Sequence, residues 1–126
     1  MKWGENMSKT IFVVDDSGTS LALAEEALEE EYRVITLSSA VMMFGLLDNV
    51  IPDLILLDIE MPETTGFHAL EHLKSKDSYA NIPVIVLTGL ADTTNKVRSI
   101  ELGAVDFIAK PFTKSELLTC VKSHLT

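Results

Sequence analysis

The stretch Ile11-Phe12-Val13-Val14-Asp15-Asp16 places two carboxylates directly after four apolar residues. A second stretch, Leu54-Ile55-Leu56-Leu57-Asp58, repeats this arrangement with one carboxylate. Short continuous apolar runs of this kind are typical of strands buried on both faces in a parallel sheet. Ligands in open α/β sheets bind beyond the carboxyl ends of the strands, so Asp15, Asp16 and Asp58 are predicted to share one site.

Two further polar residues follow apolar runs in the same way. Thr88 comes after Val84-Ile85-Val86-Leu87, and Lys110 comes after residues 105–109. Three carboxylates, a hydroxyl and an ammonium group are therefore expected at one edge of one sheet. A divalent cation such as Mg²⁺ relieves the repulsion among neighbouring carboxylates and also binds phosphate oxygens. The set of residues therefore indicates a site for Mg²⁺ and a phosphoryl group.

Composition limits the class of protein. The chain has 126 residues, enough for one domain with its own core, and 47% of them are hydrophobic. A net charge of −9 argues against direct binding to nucleic acid or to an anionic membrane surface. No apolar run approaches the roughly 18 residues of a membrane span. The single cysteine and the lack of a signal-peptide pattern favour a reducing cytoplasm.

Strand and helix patterns alternate about five times, which predicts a doubly wound α/β fold with a parallel sheet. Residues 1–8 are interpreted as an N-terminal tail and residues 9–126 as the domain. The predicted strands cover about 10–14, 32–37, 54–57, 84–87 and 105–108. Helices are expected at about 17–30, after the capping residues Ser38 and Ser39, around Phe67–Leu73, at about 92–102 with a stop at Gly103, and after the capping box Thr113–Glu116.

In these motifs the sequence resembles the receiver domain of two-component response regulators, of the chemotaxis-regulator type. The matching segments are Val14–Ser17, Leu57–Pro62 with Gly66 four residues later, Leu87-Thr88, Gly103–Phe107 and Lys110-Pro111-Phe112. The resemblance covers about Lys9 to Leu125. It implies a flavodoxin-like sheet of five parallel strands in the order 2-1-3-4-5, with five helices.

The same resemblance implies the roles of the acidic residues. Asp58 is expected to accept the phosphoryl group. Asp16 and Asp58, with the backbone carbonyl of Glu60, are expected to ligate Mg²⁺ directly, and Asp15 mainly through a water molecule. Mn²⁺ is expected to be able to replace Mg²⁺. Lys110 would contact a phosphoryl oxygen, and a cis bond before Pro111 would direct its side chain.

The resemblance also implies a switch and partners. Thr88 is expected to turn towards the phosphoryl group and Phe107 to turn inward, which alters the surface of the fourth helix, fifth strand and fifth helix. Glu60 and Leu90 are expected to tune the lifetime of the acyl phosphate, with Leu90 shielding it. The implied partners are a histidine kinase or histidine phosphotransfer domain and a downstream effector, with the chain a monomer or a phosphorylation-dependent dimer.

Taken one at a time, these residues have ordinary explanations. Asp15-Asp16 could be a helix N-cap, Asp58 a turn residue, Lys110 a solvated loop lysine and Thr88 a plain strand-end residue. Two competing functions are also open. One is a receiver-like module that binds proteins constitutively, and the other is a small phosphatase that forms an aspartyl phosphate.

Several other residues are interpreted as structural. His68 and His72, four residues apart, are expected to be solvated, because no third zinc ligand is apparent. Cys120 is expected to be a packed helix residue, since no histidine is placed to activate it as a nucleophile. Met42, Met43 and Phe44 are expected in the core, as is Phe107 if it does not move.

Overall fold

The computed structural model describes residues 9–61, 66–89 and 93–125. Strands and helices alternate along these residues. The strands are β1 (Thr10–Val14), β2 (Arg33–Leu37), β3 (Leu54–Asp58), β4 (Val84–Thr88) and β5 (Asp106–Ala109). The helices are α1 (Gly18–Leu28), α2 (Ala40–Leu47), α3 (Gly66–Ser75), α4 (Thr93–Glu101) and α5 (Lys114–His124). The predicted tail, residues 1–8, and Leu90 lie outside the described residues.

The strands form one parallel sheet in the order β2-β1-β3-β4-β5, as predicted. Alternate side chains of each strand enter two separate cores, because neighbouring residues of a strand point to opposite faces. Ile11 and Val13 join the core that contains Leu28 of α1 and Leu117 of α5. Phe12 and Val14 join the other core, with residues of α2 and α3. Both faces of the sheet are therefore covered by helices, as a doubly wound fold requires.

Local capping signals locate the helix ends well. Ser17, Ser39 and Thr113 are the N-caps of α1, α2 and α5, and Thr113 forms the predicted capping box with Glu116. Because Ser17 caps α1, the alternative in which Asp15-Asp16 is the cap is wrong. After α4, Gly103 has a φ of +106°, a conformation that glycine adopts without strain.

A few expectations about boundaries and burial are wrong. Helix α1 ends at Leu28, two residues before the predicted end, and β5 begins at Asp106, one residue late. In α2, Met43 is buried, but Met42 is 50% exposed and Phe44 only partly buried. The helix presents one face to the sheet, and three consecutive residues cannot all lie on it. None of the helices in the described part of the chain has the length and apolar character needed to cross a bilayer.

Candidate functional site

The register of the central strands brings two carboxylates together at the carboxyl edge of the sheet. Val14 of β1 pairs with Leu57 of β3. The residues that follow this pair along the chain are Asp15 and Asp58, which are therefore neighbours although they lie far apart in the sequence. Asp58 is itself the last residue of β3. Both side chains are buried, with exposures of 0% for Asp15 and 1% for Asp58.

The three acidic residues form one cluster of oxygen atoms. One carboxylate oxygen from each of Asp15, Asp16 and Asp58 lies within 4.8 Å of the others. Asp16 is exposed, so the cluster opens to solvent on one side. Backbone groups orient the two buried members. The N–H of Ser17 donates to Oδ1 of Asp15, and the N–H of Glu60 donates to Oδ1 of Asp58, both at 2.9 Å.

Lys110 supplies a positive charge at the same edge. Its Nζ lies 2.8 Å from Oδ2 of Asp15 and 3.5 Å from Oδ2 of Asp58. The Lys110–Pro111 peptide bond is cis, the isomer considered from the sequence. Lys110 therefore pairs with both carboxylates, and Asp15 is the nearer partner in this state of the protein. The side chain is 18% exposed, so it is not a solvated loop lysine.

Burial and neighbouring charges shift the pKa values of Asp58 and Lys110. Burial is the main reason that the pKa of Asp58 rises to about 6, and the charge of Asp15 adds to the rise. The Glu60 N–H and the Lys110 ammonium lower the pKa of Asp58 and offset part of this effect. Burial lowers the pKa of Lys110, but the hydrogen bond to Asp15 and the charges of both aspartates raise it above its ordinary value. Asp58 thus lacks full compensation for its negative charge.

This donor set fits a hard divalent cation. Mg²⁺ is bound by oxygen atoms, through one or two carboxylates with water and substrate phosphates. The cluster offers three carboxylates and an open side at Asp16. A dication would also offset the buried negative charge of Asp58 and its repulsion by Asp15. The residues present therefore match the chemistry of a Mg²⁺ site.

Thr88 and Glu60 form a contact that sequence reasoning missed. Thr88 is fully buried at the end of β4. Its hydroxyl donates to Oε1 of Glu60, and the N–H of Gly89 donates to the same oxygen. The side chain of Glu60 thus bridges from the loop after β3 to the end of β4. No sequence signal links two residues 28 positions apart, and the contact follows from the adjacency of β3 and β4.

Phe107 lies on β5 opposite Val86 of β4. Its ring is partly buried and packs against the core on the α2–α3 side of the sheet. Phe107 therefore packs as an ordinary core residue in this structure. The inward turn of its side chain on phosphorylation stays a prediction. Leu90, the other predicted tuning residue, is outside the described part of the chain.

A histidine lies near Cys120, but its Nε2 contacts Asp106, and the expectation that Cys120 is not an activated nucleophile stands. His124 is one helical turn further along α5, and both side chains contact Oδ2 of Asp106. The spacing of four residues was the available signal. Burial, followed by the hydrogen bond to Asp106 and its charge, raises the pKa of Cys120 to about 12, so the thiol keeps its proton at neutral pH. His68 and His72 are exposed, as expected, and His72 also meets the ring of Phe44 edge-on at 4.7 Å.

Comparison with known proteins shows the family of this chain. The sequence pattern of the response regulator receiver domain matches residues 11–122. A probable cyclic di-GMP phosphodiesterase of Vibrio cholerae is 36% identical over 122 residues, which are 96% of this chain and 28% of that protein. The phosphate regulon transcriptional regulatory protein PhoB of Pseudomonas aeruginosa is 34% identical over 120 residues, 94% of this chain and 52% of that protein. The solved signal receiver domain of a signal transduction histidine kinase from Syntrophus aciditrophicus is 37% identical, with a TM-score of 0.84, over 93% of this chain and 89% of that one.

The chain therefore belongs to the response regulator receiver domain family. Its fold and its relatives make it a regulatory phosphoacceptor module of two-component signalling. Receiver domains interact with histidine kinases and effector domains, and they generally bind Mg²⁺ through acidic residues. The chain spans about half the length, or less, of the two curated relatives described above.

Proposed function

We propose that this receiver domain accepts a phosphoryl group on Asp58 from the phosphohistidine of a histidine kinase or histidine phosphotransfer domain. The observation that carries the proposal is the surroundings of Asp58. Its carboxylate ends a central strand, lies 3.5 Å from the ammonium of Lys110 and shares a cluster of oxygen atoms with Asp15 and Asp16. This arrangement positions a nucleophile beside the charges that a phosphoryl group needs.

In the proposed reaction an oxygen of Asp58 attacks phosphorus in line with the phosphorus–nitrogen bond. That bond breaks, its electron pair returns to the imidazole of the donor histidine, and an acyl phosphate forms on Asp58. Phosphoryl transfer needs little covalent assistance and depends on positioning and charge. Lys110 neutralises charge on the phosphoryl oxygens. Water later cleaves the acyl phosphate, and this self-catalysed gain and loss of phosphate is the extent of the proposed enzymatic activity.

A divalent cation completes the proposed site. Asp16 and Asp58 would hold Mg²⁺ directly with the backbone carbonyl of Glu60, and Asp15 would act mainly through a water molecule. When bound, Mg²⁺ or Mn²⁺ supplies positive charge that offsets the charge of the carboxylates and phosphoryl oxygens. The fit of the oxygen donors supports this proposal.

The proposed output is a shift of the surface formed by α4, β5 and α5. Thr88 leaves Glu60 and donates to the phosphoryl group, and Phe107 turns into the space that opens. Phosphorylation biases two conformations of this surface, and an effector protein or domain binds one of them better. The same surface could also carry a phosphorylation-dependent dimer. We propose that this phosphoryl transfer takes place in the cytoplasm, where the domain would encounter the phosphohistidine of its donor.

The test is phosphorylation by acetyl phosphate with and without Mg²⁺, followed by intact mass. We expect one alkali-labile phosphoryl adduct that requires Mg²⁺ and disappears in Asp58→Asn. Asp77→Asn, at an exposed position after α3, is the matched control and keeps the adduct. A folded protein without an adduct would support the constitutive binding module instead. Rapid release of phosphate with no lasting adduct would support the phosphatase.

A further inference from the structure

A second group of metal-binding side chains lies away from the acidic site, between β5 and α5. Cys120 and His124 are four residues apart and share one face of α5, while Asp106 faces them from β5. The Sγ of Cys120 lies 3.3 Å from Oδ2 of Asp106, and Nε2 of His124 lies 2.9 Å from the same oxygen. One donor atom from each residue lies within 4.8 Å of the other two.

We propose that Asp106, Cys120 and His124 form a binding site for a thiophilic divalent cation of the Zn²⁺ type. The ligand set separates this site from the acidic one. Sulfur and imidazole nitrogen are ligands that Zn²⁺ and Co²⁺ accept, whereas Mg²⁺ prefers oxygen. Three different donors from two elements converge here, which distinguishes the group from a set of surface acids.

The observed separations suit tetrahedral coordination. Zinc bonds of about 2.3 Å to sulfur and about 2.0–2.2 Å to nitrogen and oxygen place neighbouring ligand atoms about 3.3–3.7 Å apart. The contacts of Asp106 with Cys120 and His124, at 3.3 and 2.9 Å, lie close to that range. Small rotations of the side chains are therefore enough to receive the ion, and the backbone of β5 and α5 keeps its place.

The carboxylate is already oriented and the site is accessible. The N–H of Phe107 donates to Oδ1 of Asp106 at 2.8 Å, which leaves Oδ2 directed at Cys120 and His124. Hydrogen bonds of this kind hold metal ligands in place. A surface cavity of about 530 Å³ is lined by two of the three residues, Asp106 and Cys120, among others. The side chains of Asp106 and His124 are 43% and 25% exposed, so an ion can enter from solvent.

Three protein ligands leave the fourth position to water. On binding, the thiol proton of Cys120 passes to solvent and the sulfur–metal bond replaces the sulfur–hydrogen bond. Nε2 of His124 also gives up the proton that it directs at Asp106, and the ring then keeps its proton on Nδ1 while Nε2 binds the ion. No change in oxidation state is involved. The ion would tie the C-terminal turn of α5 to β5, on the same surface that the proposed switch uses. The site itself requires no phosphorylation, so it stands whether or not Asp58 accepts phosphate.

The test is titration of the full chain with Co²⁺ in excess Mg²⁺, which keeps the acidic cluster occupied. Cys120 is the sole cysteine of the chain, so a thiolate-to-cobalt band in the near ultraviolet reports this site alone. We expect one Co²⁺ per chain, displacement by Zn²⁺, and loss of the band in Cys120→Ser. His124→Gln should weaken Co²⁺ binding by at least about tenfold.

His72→Gln is the matched control, because His72 is exposed on α3 and forms no part of the group. It should bind Co²⁺ with unchanged affinity and an unchanged band. Circular dichroism would check that each variant is folded. The proposal is overturned if the folded parent shows no thiolate band, or if His124→Gln binds as tightly as the parent. It is also overturned if two chains share one ion.

Discussion

The hydroxyl of Thr88 donates a hydrogen bond to Oε1 of Glu60, an oxygen that also accepts the N–H of Gly89. A threonine hydroxyl has one proton to donate. Glu60 and a phosphoryl group on Asp58 therefore compete for the same donor. In this state of the protein, Glu60 holds Thr88 away from its proposed role.

Glu60→Ala should increase the phosphorylated fraction at steady state by a few fold. The variant removes the competing carboxylate, and it also removes a negative charge near the incoming phosphoryl group. The measurement is intact mass at fixed acetyl phosphate and Mg²⁺, and Glu71→Ala, exposed on α3, is the control. An unchanged or smaller fraction would show that this contact does not oppose phosphorylation.

Lys110→Ala should slow phosphorylation of Asp58 by about a hundredfold, the usual effect of removing one preorganised donor from a developing negative charge. The ammonium also offsets the charges of Asp15 and Asp58, at 2.8 and 3.5 Å. The initial rate of adduct formation with acetyl phosphate measures the effect. Lys76→Ala, at an exposed position after α3, should react at the parental rate. A Lys110→Ala rate within threefold of the parent would remove Lys110 from the mechanism.

Without metal, Asp58→Asn should be more stable than the parent at pH 7. The rise in the pKa of Asp58 from 3.8 to about 6 in the folded protein corresponds to a cost of about 2–3 kcal/mol once the group is ionised. Because the pKa of Asp58 is raised in the folded protein, the parent is free of this cost below about pH 4. It loses that stability as the pH rises through 6 and Asp58 ionises. Denaturant unfolding in EDTA should show a difference in the free energy of unfolding between the two proteins, and this difference should narrow from pH 7 to pH 4.

Mg²⁺ should narrow the difference in unfolding free energy between Asp58→Asn and the parent at pH 7, because the cation stabilises the parent by binding its folded state. Asp77→Asn serves as the control and should follow the parent at every pH. Equal stability of the parent and Asp58→Asn in EDTA at pH 7 would contradict the cost assigned to the buried charge of Asp58.

Gly66→Ala should destabilise the protein by about 1–3 kcal/mol, the usual cost of overpacking. A Cβ atom at Gly66 would lie 2.3 Å from Cα of Ile59 and 2.4 Å from the carbonyl oxygen of Asp58, so the loop after β3 would have to shift. Gly45→Ala is the contrasting variant. It lies within α2 with no atom within 4 Å of the added Cβ, so it should stabilise by about 0.5–1 kcal/mol. Thermal unfolding of both variants would reveal whether the close approach matters.

Leu90→Ala should shorten the lifetime of the acyl phosphate, since a smaller side chain would leave Asp58 more open to water. Leu90 lies outside the described residues, and the prediction rests on the family resemblance. The rate of phosphate loss from the isolated phosphoprotein is the measurement, with Leu118→Ala on α5 as the control. An unchanged rate would rule out shielding by Leu90.

Most of the fold could be predicted from the sequence because its signals are local. Apolar runs before Asp15 and Asp58 predicted buried parallel strands, and Ser17, Ser39 and Thr113 predicted helix starts that the structure confirms. The prediction that Met42 is buried was wrong, because a run of apolar residues does not show which of them faces the sheet. The group at Cys120 was missed because its third member, Asp106, comes from a different element.

By itself, the sequence determined which residues stand at strand ends and which element each belongs to, because these properties depend on periodicity and capping within a few residues. Only the tertiary structure decided the pairings across the site. It brought Lys110 closer to Asp15 than to Asp58, directed Glu60 onto Thr88, and placed Asp106 between Cys120 and His124. These contacts depend on strand register and on side-chain rotamers. Both are set by packing between elements that lie far apart in the chain.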